Sequence, residues 1–378
     1  MSKTLTAIAL AAAALGLQGL PALGQDSTPD FALIRTTDLQ VIDRDRVQNW
    51  LEQQVSGLLA LTANEAVAAQ GSALVATITE HFRASNATKA FKDGLAQLVL
   101  QIVARQYNSP PASAEARKPM AVGFALLAAQ AVLPNADTAA AAACFTPALS
   151  DPAPAVRYLA AGGLAAVADK TDNQQWNSLL AAVQKAAAAE SDPVALGAQL
   201  QILLVRSGPR SEAVVPAIQA VMDARLEAIA RQTLLPGPQD GEIASWMGEQ
   251  ALKIAEARNT VPFVDRIARL MTLATWSYLS EMPSSPRRLQ LERVVMSAEA
   301  QLKALARAKA NVATPPDVTA AMLAGAATPA QAENMTAALE RWIGTSQQPG
   351  VLNNPPFGLP VGLGLARPAT ASASPPAS

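Results

Sequence analysis

Apolar residues recur along most of this chain at the three- and four-residue intervals of an α-helix. Val156, Leu159, Ala160, Gly163, Leu164 and Val167 fall on one helical stripe, and Trp176, Leu179, Leu180, Val183 and Ala187 repeat the pattern in the next. Leu196, Leu200 and Leu203 open a third stripe. Ile218, Met222, Leu226 and Ile229 form a fourth, after a start at Ser211. Between the stripes stand breakers with helix-start chemistry. Asp172 and Gln175 are spaced as a capping pair, in which side-chain oxygens satisfy the free N–H groups of the first turn. Asp192-Pro193 places an acidic cap before a proline whose missing N–H costs nothing in the first turn. The tripeptide Ser-Asp-Pro marks such a boundary at Ser150 and again at Ser191, and the same interval counted back reaches Ser109-Pro-Pro.

The reading extends in both directions. Residues 25–42 are irregular or extended, with Phe31, Leu33 and Ile34 as a short edge strand or a strap on the first helices. Helices begin near Asp43, where Val47, Trp50, Leu51, Val55 and Leu58 share a face. Thr62 and Glu65 are spaced as a capping box for the second helix, and Phe91, Leu95, Leu98, Val99 and Ile102 align on the third. A helix pair spans 114–149, broken at Pro134-Asn135 with Asp137 as a cap, and Pro147 kinks or shortens its second member. Leu235-Pro-Gly-Pro-Gln-Asp-Gly241 is a dense breaker cluster. It reads as a loop, because helices resume at 242–257, 262–280 and 286–310. The last of these has a buried stripe of Leu291, Val294, Val295, Ala298, Leu302 and Leu305. Its polar side carries Arg287, Arg288, Glu292, Glu299, Lys303, Arg307 and Lys309. Thr328-Pro329 with Gln331 starts a final helix through Met335, Leu339, Trp342 and Ile343. From Gly344 to Ser378 periodicity ends in Pro-, Gly-, Ser-, Ala- and Asn-rich sequence, which predicts a disordered tail.

Each helix pair carries an apolar face that it cannot bury alone, and stacking successive pairs removes that face from water. The junction Phe145-Thr-Pro-Ala-Leu-Ser-Asp-Pro-Ala-Pro-Ala-Val-Arg157 resembles that of HEAT repeats, where a helix ends, an Asp-Pro turn follows, and Val-Arg opens the next helix. The resemblance covers about residues 115–230. It implies an all-α, right-handed solenoid of stacked antiparallel helix pairs over residues 43–343. It also implies that Asp151, Arg157, Asp192 and Pro193 are structural repeat junctions, with the turn Asp and helix Arg pairing between repeats. The next repeat keeps Asp192 but has Ala198 where the Arg would fall, which interrupts such a ladder.

Composition narrows the partner classes. Half of the residues are hydrophobic but aromatics are only 4%, so closely approaching Ala-rich helices must replace a core of interlocked rings. A formal net charge of −1 supplies no basic excess for nucleic acid or anionic lipid. Met1-Ser2-Lys3, the apolar run Leu5 to Leu20 and the small residues up to Gly24 have the layout of a secretory signal peptide over residues 1–24. A retained anchor is the other reading, although the run is shorter than the roughly 20 residues a span needs. The mature chain is therefore expected to be periplasmic or secreted, without an integral membrane span. The excess of Arg over Lys, with abundant Ala, suggests a GC-rich bacterial source.

Residues suited to chemistry are few. His81 is the only histidine and Cys144 the only cysteine, so neither an ordinary zinc site nor a disulfide framework can be assembled from them. His81 lies at the margin of a helical stripe, and a hydrolase would have to recruit its Ser and acid from far away, without a Gly-x-Ser-x-Gly turn. No Walker-type phosphate loop is present. Asp151, Asp169 and Asp172 lie near repeat turns, where capping accounts for them without Ca²⁺. No cofactor is expected. The sequence reads as a non-enzymatic helical-repeat scaffold that binds another protein or an envelope component. Asn173, Gln174, Asn177, Gln184 and Lys185 form the candidate interaction surface. The alternatives are a carrier of an apolar ligand between helices and a hydrolase with an unrecognised site.

Overall fold

The apolar stripes become helices, and among the described residues no strand forms. The computed structural model describes residues 28–37, 39–109, 118–204, 211–281, 285–312, 314–315, 317–323 and 328–365. The expected signal segment 1–24 lies outside them. A single turn, α1 (Phe31–Ile34), is followed by α2 (Val41–Ala60), α3 (Asn64–Arg83), α4 (Lys89–Asn108), α5 (Pro119–Ala131), α6 (Thr138–Phe145), α7 (Pro154–Val167) and α8 (Asn173–Ala189). Then come α9 (Pro193–Leu204), α10 (Ser211–Ala230), α11 (Pro238–Lys253), α12 (Val261–Ser280), α13 (Arg287–Leu305), α14 (Val318–Leu323) and α15 (Pro329–Ile343). The chain divides into two compact units, Met1–Val183 and Gln184–Ser378, and the division falls within α8.

Helix starts follow the capping chemistry at several breakers. The Gln175 amide donates to Asp172 Oδ1 (2.7 Å) while Gln175 Oε1 accepts from the Asp172 amide (3.3 Å), a reciprocal box. Asp192 Oδ1 accepts from the amides of Val194 and Ala195, Asp137 from Ala140 and Thr328 from Gln331. The Thr62–Glu65 box does not form. The residue preceding α3 is Ala63, in extended backbone, which leaves Thr62 one position too early to reach the first-turn amides.

Within each unit a helix rests against the one two positions further on. In the N-terminal unit α2 packs on α4, α3 on α5, α4 on α6 and α5 on α7; in the C-terminal unit α9 packs on α11, α10 on α12 and α11 on α13. The elements thus alternate between two layers, the repeat-like pairing that stacked helix hairpins produce. Side-chain ties mark the same register. Arg105 meets Glu52 at 2.6 Å across α4 and α2, Thr138 donates to Gln175 across α6 and α8 (2.6 Å), and Ser245 meets Ser297 across α11 and α13 (2.7 Å). Arg266 forks onto Asp223 across α12 and α10 (2.8 and 2.6 Å). The solvent-accessible ion pairs among these ties contribute under about 1 kcal/mol each. Burial of large side chains contributes about 1.5–3 kcal/mol apiece, so the apolar stripes hold the layers and the polar ties record their alignment.

Close approach is built from small residues. Ala121, Ala125, Ala128 and Ala129 of α5 are buried, and Gly163 of α7 lies directly under the fully buried Phe145 ring. A Cβ on Gly163 would meet that ring at 2.6–2.7 Å. Gly163→Ala gains about 0.5–1 kcal/mol of helix propensity, but overpacking costs about 1–3 kcal/mol. The clash wins because the ring has no solvent to move into. The expected result is a loss of about 1–2 kcal/mol, read from urea unfolding followed by amide exchange in the N-terminal unit.

Two terminal expectations are corrected. Phe31 and Ile34 belong to a helical turn, α1, and not to an edge strand; Asp30 caps it by accepting from the Leu33 amide at 3.2 Å. Beyond α15, residues 344–365 are not disordered. They form short 3₁₀ turns that bury Leu352, Phe357 and Leu363, and the last turn packs on α12 and α15. Positive φ at Gly358, Gly362 and Gly364 lets the chain reverse tightly there. Residues 366–378 of the expected tail lie outside the described residues.

Candidate functional site

The breaker cluster at 235–241 forms one wall of a cleft within the C-terminal unit. Its volume is about 190 Å³, and the starts of α9, α11 and α13 converge on it through Pro193, Pro238 and Arg287. Leu196, Leu235, Pro236 and Leu291 supply apolar lining, while Arg225, Gln239, Glu281, Arg287 and Gln290 supply polar groups. Glu281 and Arg287 face each other at 3.7 Å. Three charged side chains line the cleft, two arginines and one glutamate, and Arg225 is already paired with Asp240. Small-molecule sites usually enclose about 300–1,000 Å³, and this cleft is smaller.

Its floor is a buried ion pair. Arg225 and Asp240 are 3% and 0% exposed. Arg225 Nε donates to Asp240 Oδ1 (2.6 Å) and Nη2 to Oδ2 (3.2 Å), a fork on a carboxylate. Arg225 Nη1 donates to the carbonyls of Ala187 (3.2 Å) and Glu190 (2.6 Å), closing the C-terminal end of α8. Asp240 Oδ2 also accepts from the Gly237 amide at 2.8 Å, which caps α11. One guanidinium thus joins the end of α8, helix α10 and the start of α11. Glu190, also buried, accepts from the Asp192 amide and from Gln199 Nε2.

A third buried carboxylate lies where the sequence predicted a solvated face. Glu299 of α13 is 1% exposed. It accepts from the amides of Val318 (2.7 Å) and Thr319 (2.9 Å) and from the Thr319 hydroxyl, so it caps α14 from another helix. Arg288, placed on the same polar side, is buried with its guanidinium carbon 4.0 Å from the Tyr278 ring centre.

The residues singled out from sequence fall in several places. Asn173, Gln174, Asn177 and Lys185 are exposed along α8 and Gln184 is half-buried. Asp151 Oδ2 accepts from the Tyr107 hydroxyl at 2.9 Å and Oδ1 from the Ala153 amide at 2.8 Å. Arg157 Nη1 donates to the carbonyls of Asp151 (2.7 Å) and Pro152 (2.9 Å), clamping its own turn. Pro193 is the first residue of α9.

His81 is half-buried on α3, stacked on Phe31 with centroids 4.7 Å apart, and Arg35 Nη1 lies 3.2 Å from its Nδ1. Burial holds its pKa below the usual histidine value and the nearby Arg35 charge adds to this, while Glu80 opposes both. Cys144 is buried, and burial pushes its thiol up to about 12, so at neutral pH it carries almost no thiolate, the reactive form.

Among the described residues no group of three or more His, Cys, Asp and Glu side chains is placed to hold a metal ion. Nor is any described helix long and apolar enough to cross a membrane. A comparison of the sequence with protein-family models finds no match, and neither does a comparison with curated proteins.

Proposed function

We propose that this chain is an exported, non-enzymatic helical-repeat protein of HEAT-like, right-handed solenoid type, whose surface binds another protein or an envelope component. The observation that carries the reading is the recurrent packing of a helix beside the next but one, over α2 to α7 and again over α9 to α13. Arrays of this kind work through extended surfaces presented by successive repeats. The 145–157 junction supports the HEAT-like assignment, because Asp151 caps the turn and Arg157 clamps its carbonyls. The signal-peptide layout of residues 1–24 supports export to a periplasm or beyond. The cleft favours a protein partner over an apolar small molecule, since about 190 Å³ with polar and charged groups among its lining suits side chains of a docking segment.

The test uses the full chain secreted from a bacterial host, immobilised and exposed to envelope extract. Wild type and an Asn177→Arg/Lys185→Glu variant are compared. The reading expects a protein retained in near-stoichiometric amount by wild type and reduced at least about tenfold by the variant, an affinity change of about 1.4 kcal/mol, with thermal stability unchanged. A wild-type chain that retains neither a protein nor another envelope component contradicts the binding function. A partner retained equally by both removes the α8 face from it.

A further inference from the structure

We propose that residues 28–37 form an acid-released strap: the turn α1 stays docked on α2 and α3 while His81 is neutral, and detaches when His81 takes a proton. The strap is held at few points. Pro29, Phe31 and Ile34 are its buried residues. Phe31 lies between His81, stacked at 4.7 Å and 15°, and Trp50 of α2, edge-on at 5.1 Å and 75°. From α4, the Thr88 amide donates to the Arg35 carbonyl (2.8 Å) and the Thr88 hydroxyl to the Thr37 carbonyl (3.2 Å). Arg35 reaches His81 Nδ1 at 3.2 Å.

That contact exists in one protonation state only. A guanidinium has donors and no acceptor, so neutral His81 accepts at Nδ1 and carries its proton on Nε2. A second proton turns Nδ1 into a donor, removes the bond and leaves two cations facing each other at the same place. Arg35 has little to soften this, since its Nε is buried without a hydrogen-bond partner. The charged groups acting on the ring are Glu80, its neighbour on α3, and Arg35 on the strap. The other elements against the strap present the Trp50 ring of α2 and the Thr88 hydroxyl and amide of α4.

The direction follows by linkage. In the docked state burial, first, and Arg35 lower the pKa of the ring against the opposing pull of Glu80. The released state, with the ring nearer its ordinary value of 6.5, therefore binds more protons. Docking is complete above about pH 6.5 and weakens as the pH falls from there through the lower value of the docked ring. Release uncovers the Phe31 seat beside Trp50, an aromatic surface between α2 and α3.

Amide exchange of the full chain at about pH 7.5 and about pH 5 tests this, with each rate normalised to that of an unstructured peptide at the same pH. Strap amides and the Thr88 amide are expected to lose protection at the lower pH, by up to about tenfold for each pKa unit separating docked from released His81. The interiors of α3 and α4 keep theirs. His81→Phe, which retains a ring for Phe31 to stack on, and His81→Gln are expected to abolish the pH dependence of strap protection. Equal strap protection at both pH values in wild type overturns the proposal. So does simultaneous loss from strap, α3 and α4, or an undiminished acid response in both variants.

Discussion

Asp240→Ala lowers the stability of the C-terminal unit by about 3–5 kcal/mol. Asp240 is wholly buried and Arg225 nearly so, and removing the carboxylate strands a guanidinium away from water. The Gly237 amide loses its acceptor at the start of α11 in the same step. Arg225→Ala is expected to fall in the same range, because the carbonyls of Ala187 and Glu190 then lose a donor together with Asp240. Arg225→Lys separates charge from geometry. It retains the cation, but a single ammonium cannot fork onto the carboxylate and reach two carbonyls at once, so it recovers only part of the loss. Unfolding in urea, followed by amide exchange in residues 211–253, reads the effect on this unit alone. A loss under about 1 kcal/mol for Asp240→Ala would show that the pair is not desolvated.

Glu299→Ala is expected to cost about 2–4 kcal/mol and to release α14. The helix has six residues, Val318–Leu323, too few to persist without external support. Its first amides are satisfied by a carboxylate from α13, and each buried donor left unpaired costs about 1–3 kcal/mol. A negative charge at a helix start adds a favourable dipole interaction. Glu299→Gln keeps one acceptor oxygen but no charge, and its effect should be about half as large. Lys303 holds Asp317 at 2.6 Å next to the same start, but that bridge is partly exposed and does not replace the lost acceptor. Exchange of the Val318 and Thr319 amides is the local readout. If those amides stay protected in the alanine variant, Glu299 is not the cap.

Both carboxylates show where sequence patterning runs out. The apolar stripes are legible because burial imposes a 3.6-residue period: Val47, Trp50, Leu51, Val55 and Leu58 of α2 are all buried, as are Leu291, Val294, Val295, Ala298, Leu302 and Leu305 of α13. Local caps such as Asp172 with Gln175 are legible because both partners lie within one turn. Glu299 carries no such signal, since its partners are 19 and 20 residues away and along α13 it occupies an ordinary polar position. Asp240 reads as part of a turn cluster. The spacing Gly237 to Asp240 matches a capping box and points to its local role, but nothing in the spacing points to Arg225. The segment 344–365 is ordered by tertiary packing of Leu352, Phe357 and Leu363, whose spacing has neither helical nor strand period.

The candidate cleft was legible only as a breaker. A run of Pro and Gly announces that a helix stops, and the converging starts of α9, α11 and α13 depend on which helices share a layer. On α8 the exposure of Asn173, Gln174, Asn177 and Lys185 was legible from their places off the apolar stripe.

The alternation of layers is tested most directly by a cross-link between α11 and α13. Ser245 and Ser297 touch through their hydroxyl oxygens at 2.7 Å, which brings their Cβ atoms near the span of a disulfide. Cys144 does not compete, being buried with a thiol that resists ionisation. The expected result for Ser245→Cys/Ser297→Cys under mild oxidation is near-complete intramolecular disulfide formation, with the helical content unchanged. A folded double variant whose two introduced thiols stay reduced would contradict the packing of α11 against α13 and with it the alternation.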